Sequence, residues 1–600
     1  MFKNQPAGLY VLALANTGER FGYYTMLAIF LFFLQAKFGL DATWTGQIFS
    51  IFLALVYFMP LVGGWLADKW SFSKCVVSGI AIMFVGYALM SAPTPVRENT
   101  SLMILFAALL LISVGTGLFK GNLQVMVGDL YNEARYADRR DAAFSLFYMA
   151  INLGSMFAPG AAIALKNMAL RNAGFLTNDP MAATVSNWAL DTDGFTNMSA
   201  VSSETLKNMT EFATKNGMEA GGDVAAALSA YLTQFANNCS ATYTSLTEFA
   251  QNYITAFAQG CNYAFMLACG SLIISFLIYF LGRRTYRHII VDKKAPSAQK
   301  TAVGAGPELT PEQTKQRVVA LLLVFAVVIF FWMVFHQNGQ TLTEFAKSCT
   351  SPESSSWTRI GFNLWALAAI AAGVYALFGA IQSATAKGRA ICGLVLAACI
   401  GIVAWLYIDT PATVTGIDPA AYQQFNPFYV VALTPFSMAL FAWLNKKGKE
   451  PSAPRKIGYG MIVAGLAYVV MIFGSLSLVG TNGDVSTNWL ISTYLLLTFA
   501  ELLLSPMGIS FVSKVAPPKL KGSMMGGWFA ATAVGNYLVS IPMLLWGKID
   551  TWLVWAILVG LCLLSAAFLF SQMKKLEAAT TDTPAQPVAD ALETVEDDAI

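Results

Sequence analysis

The chain has 600 residues, of which 56% are hydrophobic and only 12% charged, with a formal net charge of +3 and a mean hydropathy of +0.57. So few charges cannot coat a water-soluble globule of this length, which excludes a soluble enzyme and leaves an all-α integral membrane protein. Neither a nucleic-acid partner nor a cofactor or metal is expected.

Apolar runs of about 20 residues, enough to cross a hydrocarbon layer of about 30 Å, recur from end to end. Fourteen spans are expected, centred near Tyr23, Leu55, Met83, Leu110, Ile151, Leu272, Phe330, Ala371, Ala397, Leu433, Ala467, Leu497, Ala533 and Val559. Most of the 37 Lys and Arg residues fall on one side of these spans, together with both termini. Short cytoplasmic loops collect basic residues, so a multi-pass protein of the cell (inner or plasma) membrane with both termini in the cytoplasm is expected.

In chain order, residues 1–165 carry the first five helices of an N-terminal bundle. The first contains ANTGERFGYYTM, in which Asn16, Glu19, Arg20, Tyr23 and Tyr24 fall within an arc of about 140° on a 3.6-residue helix. A charge at mid-membrane costs about 2.5–3.5 kcal/mol even on the lenient insertion scale, so this stripe must face protein or an aqueous cavity. Glu19 and Arg20 diverge by about 100°, so each is expected to find a partner on another helix. Lys120, in GTGLFKGN of the fourth span, is the companion expected for Glu19. The start also imitates a signal peptide, with Ala13-Leu14-Ala15 as its cleavage site, but the apolar pattern continues to Leu34 and is read as a retained span. On the fifth span, FYMAINLG places Tyr148 and Asn152 one turn apart on one face.

Residues 166–255 form a polar insert on the outer side, expected as a small helical cap, and 256–282 form the sixth helix. A basic cytoplasmic linker at 283–316 leads to the seventh helix at 317–347, whose FHQNGQ end puts His336 and Gln340 on one face. Two extra transmembrane helices occupy 348–425, and 426–575 complete a C-terminal bundle. In this last stretch Asn426 and Pro427 open the tenth span, Glu501 and Ser505 share a face in ELLLSP, and Trp528 lies near the start of the thirteenth span. The tail at 576–600 is acidic and rich in Ala, Thr and Pro, and is expected to be disordered. Eight cysteines follow no metal spacing; Cys239, Cys261 and Cys349 fall toward the outer side, where one disulfide is possible with its pairing open. The sequons at Asn99, Asn197, Asn208 and Asn238 are read as chance products of polar loops.

Ionisable groups from both halves of the chain thus converge on one central cavity, which is the arrangement of a transporter. Both signs of charge suit a zwitterion: Arg20 and Lys120 can take a carboxylate and Glu501 an ammonium group, with aromatic and Asn side chains between them. Amino acids, peptides and zwitterionic drugs fit; sugars would not need such a site. No side-chain constellation has catalytic or metal spacing, so an enzyme is not expected.

The segments NTGERFGYY, GGWLADKW at 63–70, GTGLFKGNLQVMVGDLY, FSLFYMAINLGSMFAPG, FNPFYV, ELLLSPMGISFVSKVAPPKLKG and GWFAATAVGN together resemble the proton-dependent oligopeptide transporter family of the major facilitator superfamily, over the core of almost the whole chain. The resemblance implies two six-helix bundles that rock around a midplane site and import di- and tripeptides with protons, the spans near Ala371 and Ala397 being additional and peripheral. By position, Glu19 and Arg20 match the acidic and basic members of the family's ExxER motif, implicated in proton coupling and in binding the peptide carboxylate, and Lys120 matches its fourth-helix lysine. Asn152, Asn426 and Glu501 match residues that hold the peptide amino terminus. Tyr23, Tyr24, Tyr148 and Trp528 match pocket aromatics. The implied partners are the peptide, protons and the lipid bilayer.

Three positions depart from the family pattern: Asn16 stands at the first Glu of ExxER, Leu27 where Arg is common, and His336 where a seventh-helix acid is expected. Two proton-binding carboxylates are therefore missing. An imidazole titrates near pH 6.5, and His336 is read as taking over part of the proton switching; the other of the two histidines, His288, lies in the basic linker. Three other readings stay open: the same fold carrying an amino acid, nitrate or a drug; a facilitator without tight proton coupling; and a non-transporting membrane receptor that uses the outer insert.

Overall fold

The computed structural model describes residues 5–581 except 41, 179–180, 200, 216–217, 219–222, 291–308, 352, 384, 416, 418, 479–484 and 547. Among the described residues 14 helices are long and apolar enough to cross a membrane. They are α1 (Ala7–Phe38), α2 (Ala42–Lys69), α3 (Phe72–Ser91), α4 (Asn99–Asp129), α5 (Arg140–Asn172), α6 (Leu246–Leu281), α7 (Pro311–Phe335), α8 (Leu364–Gln382), α9 (Ala386–Asp409), α10 (Phe425–Lys446), α11 (Ala453–Ser475), α12 (Thr487–Val515), α13 (Lys521–Leu538) and α14 (Thr551–Ser571). Local chemistry sets several starts. Thr310 opens α7 with a capping box: its Oγ1 accepts from Gln313 N (3.2 Å), Gln313 Oε1 accepts from Thr310 N (3.0 Å), and Pro311 occupies the first turn, where its missing N–H costs nothing.

In the first bundle α1 lies against α5 and α6, and α4 against α2 and α3. Thr17 Oγ1 on α1 donates to Ala150 O on α5 at 2.8 Å. In the second bundle α11 lies against α12 and α14, and α7 against α13 and α14. The seam between bundles is formed chiefly by α2 with α13 and α5 with α10, and α12 and α13 also meet α5 and α4. The first crossing requires glycine: a Cβ on Gly64 would sit 2.1 Å from the carbonyl oxygen of Gly522, so the two backbones touch.

Helix ends depart from the sequence expectation. Helix α5 runs to Asn172 and α6 begins at Leu246, so the insert between them is shorter than the expected 166–255. Its helices include Ser186–Asp191, Ser203–Lys215 and Val224–Asn237. It is fastened to the first bundle. Asn187 Nδ2 donates to Gln35 O (3.0 Å) and Ala36 O (3.2 Å) at the end of α1, and Arg97 spans Asn187 Oδ1 (2.7 Å) and Asp191 Oδ1 (2.6 Å). Cys239 is a free thiol, its backbone neighbourhood supplying Leu176 N as a donor.

Helix α7 ends at Phe335, well short of 347, and gives way to a 3-10 turn at His336–Gly339 and a helix at Thr341–Ser348. The extra pair α8 and α9 lies outside the second bundle: Tyr375 OH donates to Val431 O of α10 at 3.0 Å, and Phe378 meets Phe436 edge to face at 4.9 Å. Helix α9 packs on α8 and leaves Leu394 (73%) and Ile408 (81%) exposed, as a lipid-facing helix does. The first part of the tail expected to be disordered is helical instead, from Met573 to Thr581, because Leu576 and Ala579 bury an apolar face. Residues 582–600, and 291–308 of the expected linker, lie outside the described residues.

Candidate functional site

The polar stripe of α1 is buried and closed on itself. Arg20 Nε and Nη2 donate to the two carboxylate oxygens of Glu19, although the two residues are adjacent in sequence. Backbone directions about 100° apart do not stop this, because the long arginine side chain folds back across its neighbour. The guanidinium then lies 4.6 Å from the centre of the Tyr23 ring, which meets Tyr24 edge to face at 5.3 Å. The expected Lys120–Glu19 ion pair is not formed. Lys120 Nζ sits over the ring of Tyr57 (4.0 Å) on α2 and, across the seam, over Phe529 (4.7 Å) on α13. It still lies within the field of both Arg20 and Glu19.

On the other side of the seam stands a buried carboxylate bound by neutral groups. Tyr148 OH on α5 donates to Glu501 Oε1 on α12, a bond that joins the two bundles. Asn426 Nδ2 on α10 donates to Glu501 Oε2 (2.8 Å) and to Thr498 Oγ1 (3.1 Å). Asn152 stays on its own helix, donating to Tyr148 O at 3.0 Å and so backing the tyrosine. Tyr24 and Tyr57 both lie within the field of Arg20, Glu19 and Glu501.

His336 caps α7 and stacks on Trp332, with ring centres 4.8 Å apart and 24° between planes, while Nδ1 contacts Asn536 Oδ1 on α13. Because the helix stops before it, His336 and Gln340 do not share the helical face expected from their spacing: Gln337 is buried instead, donating to Met333 O (2.9 Å) and Val539 O (3.1 Å), and Gln340 is exposed. Trp528 is 1% exposed, its ring edge to face with Phe325 at 6.5 Å.

Arg20 (2% exposed), Glu501 (3%) and Tyr23 (1%) are likewise shut away from solvent. Further ties across the seam gather at the face that carries the chain termini. Asp68 accepts from Gly522 N (2.9 Å) and Ser523 N (2.8 Å) at the first turn of α13, where free backbone N–H groups favour an anion. Lys521 Nζ donates to Asp129 Oδ1 at 2.7 Å, and Ser510 Oγ donates to Asp141 Oδ1.

The structure therefore brings the sequence-predicted residues into three neighbouring groups: Glu19, Arg20, Tyr23 and Tyr24 with Lys120 beside them; Tyr148, Asn152, Asn426 and Glu501; and His336 near Lys120. Trp528 is packed behind them. Sequence reasoning missed Tyr57, Thr498, Phe529 and Asn536 as contacts. Asn536 carried a signal, a lone amide in an apolar span within the quoted segment GWFAATAVGN. Phe529 carried none, since a phenylalanine in a membrane helix is unremarked until a cation lies on it.

Comparison with known proteins agrees with this architecture. The sequence profile of the POT family matches residues 73–182 and 406–553. The chain is similar to a dipeptide and tripeptide permease A from Edwardsiella piscicida, 23% identical, with 88% of this chain and 84% of that protein covered. It is also similar to a di-/tripeptide transporter from Lactococcus lactis subsp. cremoris, 26% identical over 89% of this chain and 88% of the relative. A solved peptide transporter in complex with sulfate superposes with a TM-score of 0.54 at 21% identity, over 96% of both chains, and has the same fold.

Proposed function

The chain belongs to the POT family, and from that membership we propose that it is a proton-coupled symporter that imports di- and tripeptides by alternating access. It is a transporter of the cell membrane, and both termini face the cytoplasm. The basic residues on that face support the orientation, and three of them lie on tryptophan rings one helical turn away: Lys69 on Trp65 (3.8 Å), Lys74 on Trp70 (5.9 Å) and Lys447 on Trp443 (3.8 Å). Such pairs suit the level of the lipid headgroups.

The observation that carries the reading is the division of charge across the seam. The first bundle presents Arg20 and Lys120, the second presents Glu501, and the Tyr148–Glu501 bond holds the two bundles together between them. A peptide carboxylate takes the place of the aromatic and carboxylate partners of Lys120 and Arg20, while its ammonium group displaces Tyr148 from Glu501. Asn152 and Asn426 position the two groups released or bound at that end. The ties of Asp68 and Asp129 to α13 hold the cytoplasmic face closed, and the Tyr148–Glu501 bond closes the site itself, so peptide entry requires the bundles to part.

Protonation of Glu19 or His336 changes which salt bridge Arg20 and Lys120 can form, and so biases the closure of one face against the other. One proton moved inward by 100 mV supplies about 2.3 kcal/mol, enough for roughly fifty-fold accumulation of a neutral peptide. Uptake of a labelled dipeptide into proteoliposomes tests this. An imposed inward proton gradient should drive accumulation above equilibrium; equilibration without accumulation points to the second reading, a facilitator, which the commitment of both Glu19 oxygens to Arg20 favours. Absence of peptide uptake under either condition would falsify the peptide assignment.

A further inference from the structure

The turn at the end of α7 is built around His336 more closely than a spacer histidine requires. Helix α13 lies directly on α7 because Gly535 has no side chain: a Cβ there would stand 2.5 Å from Ile329 O and 2.9 Å from Trp332 Cβ. The next residue, Asn536, is thereby set against the imidazole, with its Oδ1 on Nδ1. One residue further along α7's end, Gln337 ties the same turn to Val539 O at 3.1 Å, and Thr341 Oγ1 donates to Gln337 Oε1 at 2.6 Å. Two successive side chains are thus held by α13, which fixes the height and tilt of the ring on Trp332.

We propose that Asn536 is a positioning residue for the proton step: it holds His336 as the Nδ1–H tautomer and leaves Nε2 as the atom that takes and returns the proton. An amide oxygen can only accept, so Nδ1 must donate to it, and the lone pair of the neutral ring then resides on Nε2. Among the described residues Nε2 has no hydrogen-bond partner, and the ring is only half-buried. A proton from the aqueous side adds to the Nε2 lone pair and gives an imidazolium that keeps its Nδ1–H on Asn536; the same proton leaves from Nε2, and no other bond changes.

The surroundings suit such a cycle. His336 caps α7, where the last carbonyls carry partial negative charge, and the Trp332 face lies parallel to the ring. The charged group acting on it is Lys120 of α4, from across the seam. The titratable neighbours on α11 and α12 are Tyr468 and Tyr494, whose hydroxyls are engaged with Val334 O (2.6 Å) and Asn338 O (3.0 Å). A proton on Nε2 is therefore felt by Lys120, which ties the state of the second bundle to the cation of the first.

This inference rests on the reading that His336 carries a transported proton, and the tests separate the two. The chain has two histidines, so in an H288Q background the ring nitrogens of His336 are the only imidazole signals. Nitrogen-15 NMR of this protein in lipid nanodiscs should show the Nδ1–H tautomer when the ring is neutral, and a mixture of tautomers in N536A. A dominant Nε2–H form in the parent overturns the proposal without reference to any variant. In proteoliposomes, N536A should lose about ten-fold of its proton-driven uptake and less of its peptide counterflow, and N536D should move the midpoint of the pH profile upward by about one unit. If H336Q abolishes proton drive while N536A and N536D keep the parental pH profile, the role given to Asn536 is wrong and that of His336 stands. If H336Q itself keeps the parental profile and accumulation, the proton reading of His336 falls first and takes this inference with it.

Discussion

The two bundles each bury one carboxylate near the middle of the membrane, and they treat it in opposite ways. Glu19 in the first bundle is held by both donors of the adjacent Arg20, so its charge is cancelled within two residues of chain. Glu501 in the second is held by Tyr148, from the opposite bundle, and by Asn426, both neutral. A pair cancelled locally leaves an uncompensated buried charge only when one partner is removed, whereas a carboxylate held by neutral dipoles keeps its charge for an incoming cation. On the proposed transport reading, Arg20 must leave Glu19 before it can take a peptide carboxylate, whereas Glu501 needs only neutral groups to move aside for the ammonium end.

The sharpest way to break this comparison is to remove Arg20. Arg20→Gln leaves Glu19 buried without its cation, at a cost of about 3–5 kcal/mol, and should show as a large drop in the thermal unfolding temperature of the detergent-solubilised protein. Glu19→Gln combined with Arg20→Gln should restore much of that loss. If Arg20→Gln is as stable as the parent, the pair is not what holds this region.

Glu501→Gln should do the converse. The amide keeps the size of the side chain, so the unfolding temperature should move little, but the ammonium group loses a charged acceptor worth about 1.5–3 kcal/mol. The half-saturating peptide concentration should rise roughly 10- to 100-fold, measured by initial uptake rates. Equal losses of stability in the Glu501 and Arg20 variants would erase the distinction between the two bundles.

A smaller effect is expected at the cytoplasmic end of the seam. Lys521 and Asp129 are about four-fifths buried (20% and 18% exposed), and a double-mutant cycle with Lys521→Gln and Asp129→Asn should give a coupling of about 1 kcal/mol in unfolding experiments. The reciprocal exchange, Lys521→Asp with Asp129→Lys, should recover uptake relative to either single charge reversal. Failure of that recovery would show that the pair does not help to close this face.

The smallest effect lies outside the membrane. Hydrogen bonds from Arg455 and from Ser452 hold the Glu577 carboxyl below its ordinary range. A carboxylate with a depressed folded-state value stabilises the protein above its unfolded value and loses that contribution as pH falls through the folded one. Glu577→Gln should therefore lower the unfolding temperature by roughly 1 °C at neutral pH, and the gap to the parent should close below about pH 4. A gap that persists at pH 3 would mean that packing of the Met573–Thr581 helix, rather than this charge, docks it.

Much of the architecture was legible in the order of residues. Fourteen spans follow from apolar runs long enough for a bilayer, because backbone groups in hydrocarbon have no water to bond and must be satisfied along each helix. The identity of the polar residues at depth was equally legible, since each charge there must have a protein or aqueous partner. What the chain order left open was which partner. The divergence of Glu19 and Arg20 around the helix pointed Glu19 to Lys120, whereas in the fold Arg20 reaches back to Glu19 and Lys120 lies over Tyr57 and Phe529.

The stop of α7 before His336 was invisible for a related reason. FHQNGQ can continue a helix by propensity alone, and it turns where Asn536 Oδ1 of α13 meets His336 and Val539 O, just past α13, accepts from Gln337, two hundred residues away. Helices in a membrane are thus written locally, because each satisfies its own backbone, whereas the pairing of side chains between them is decided by the distances at which the folded helices come to rest.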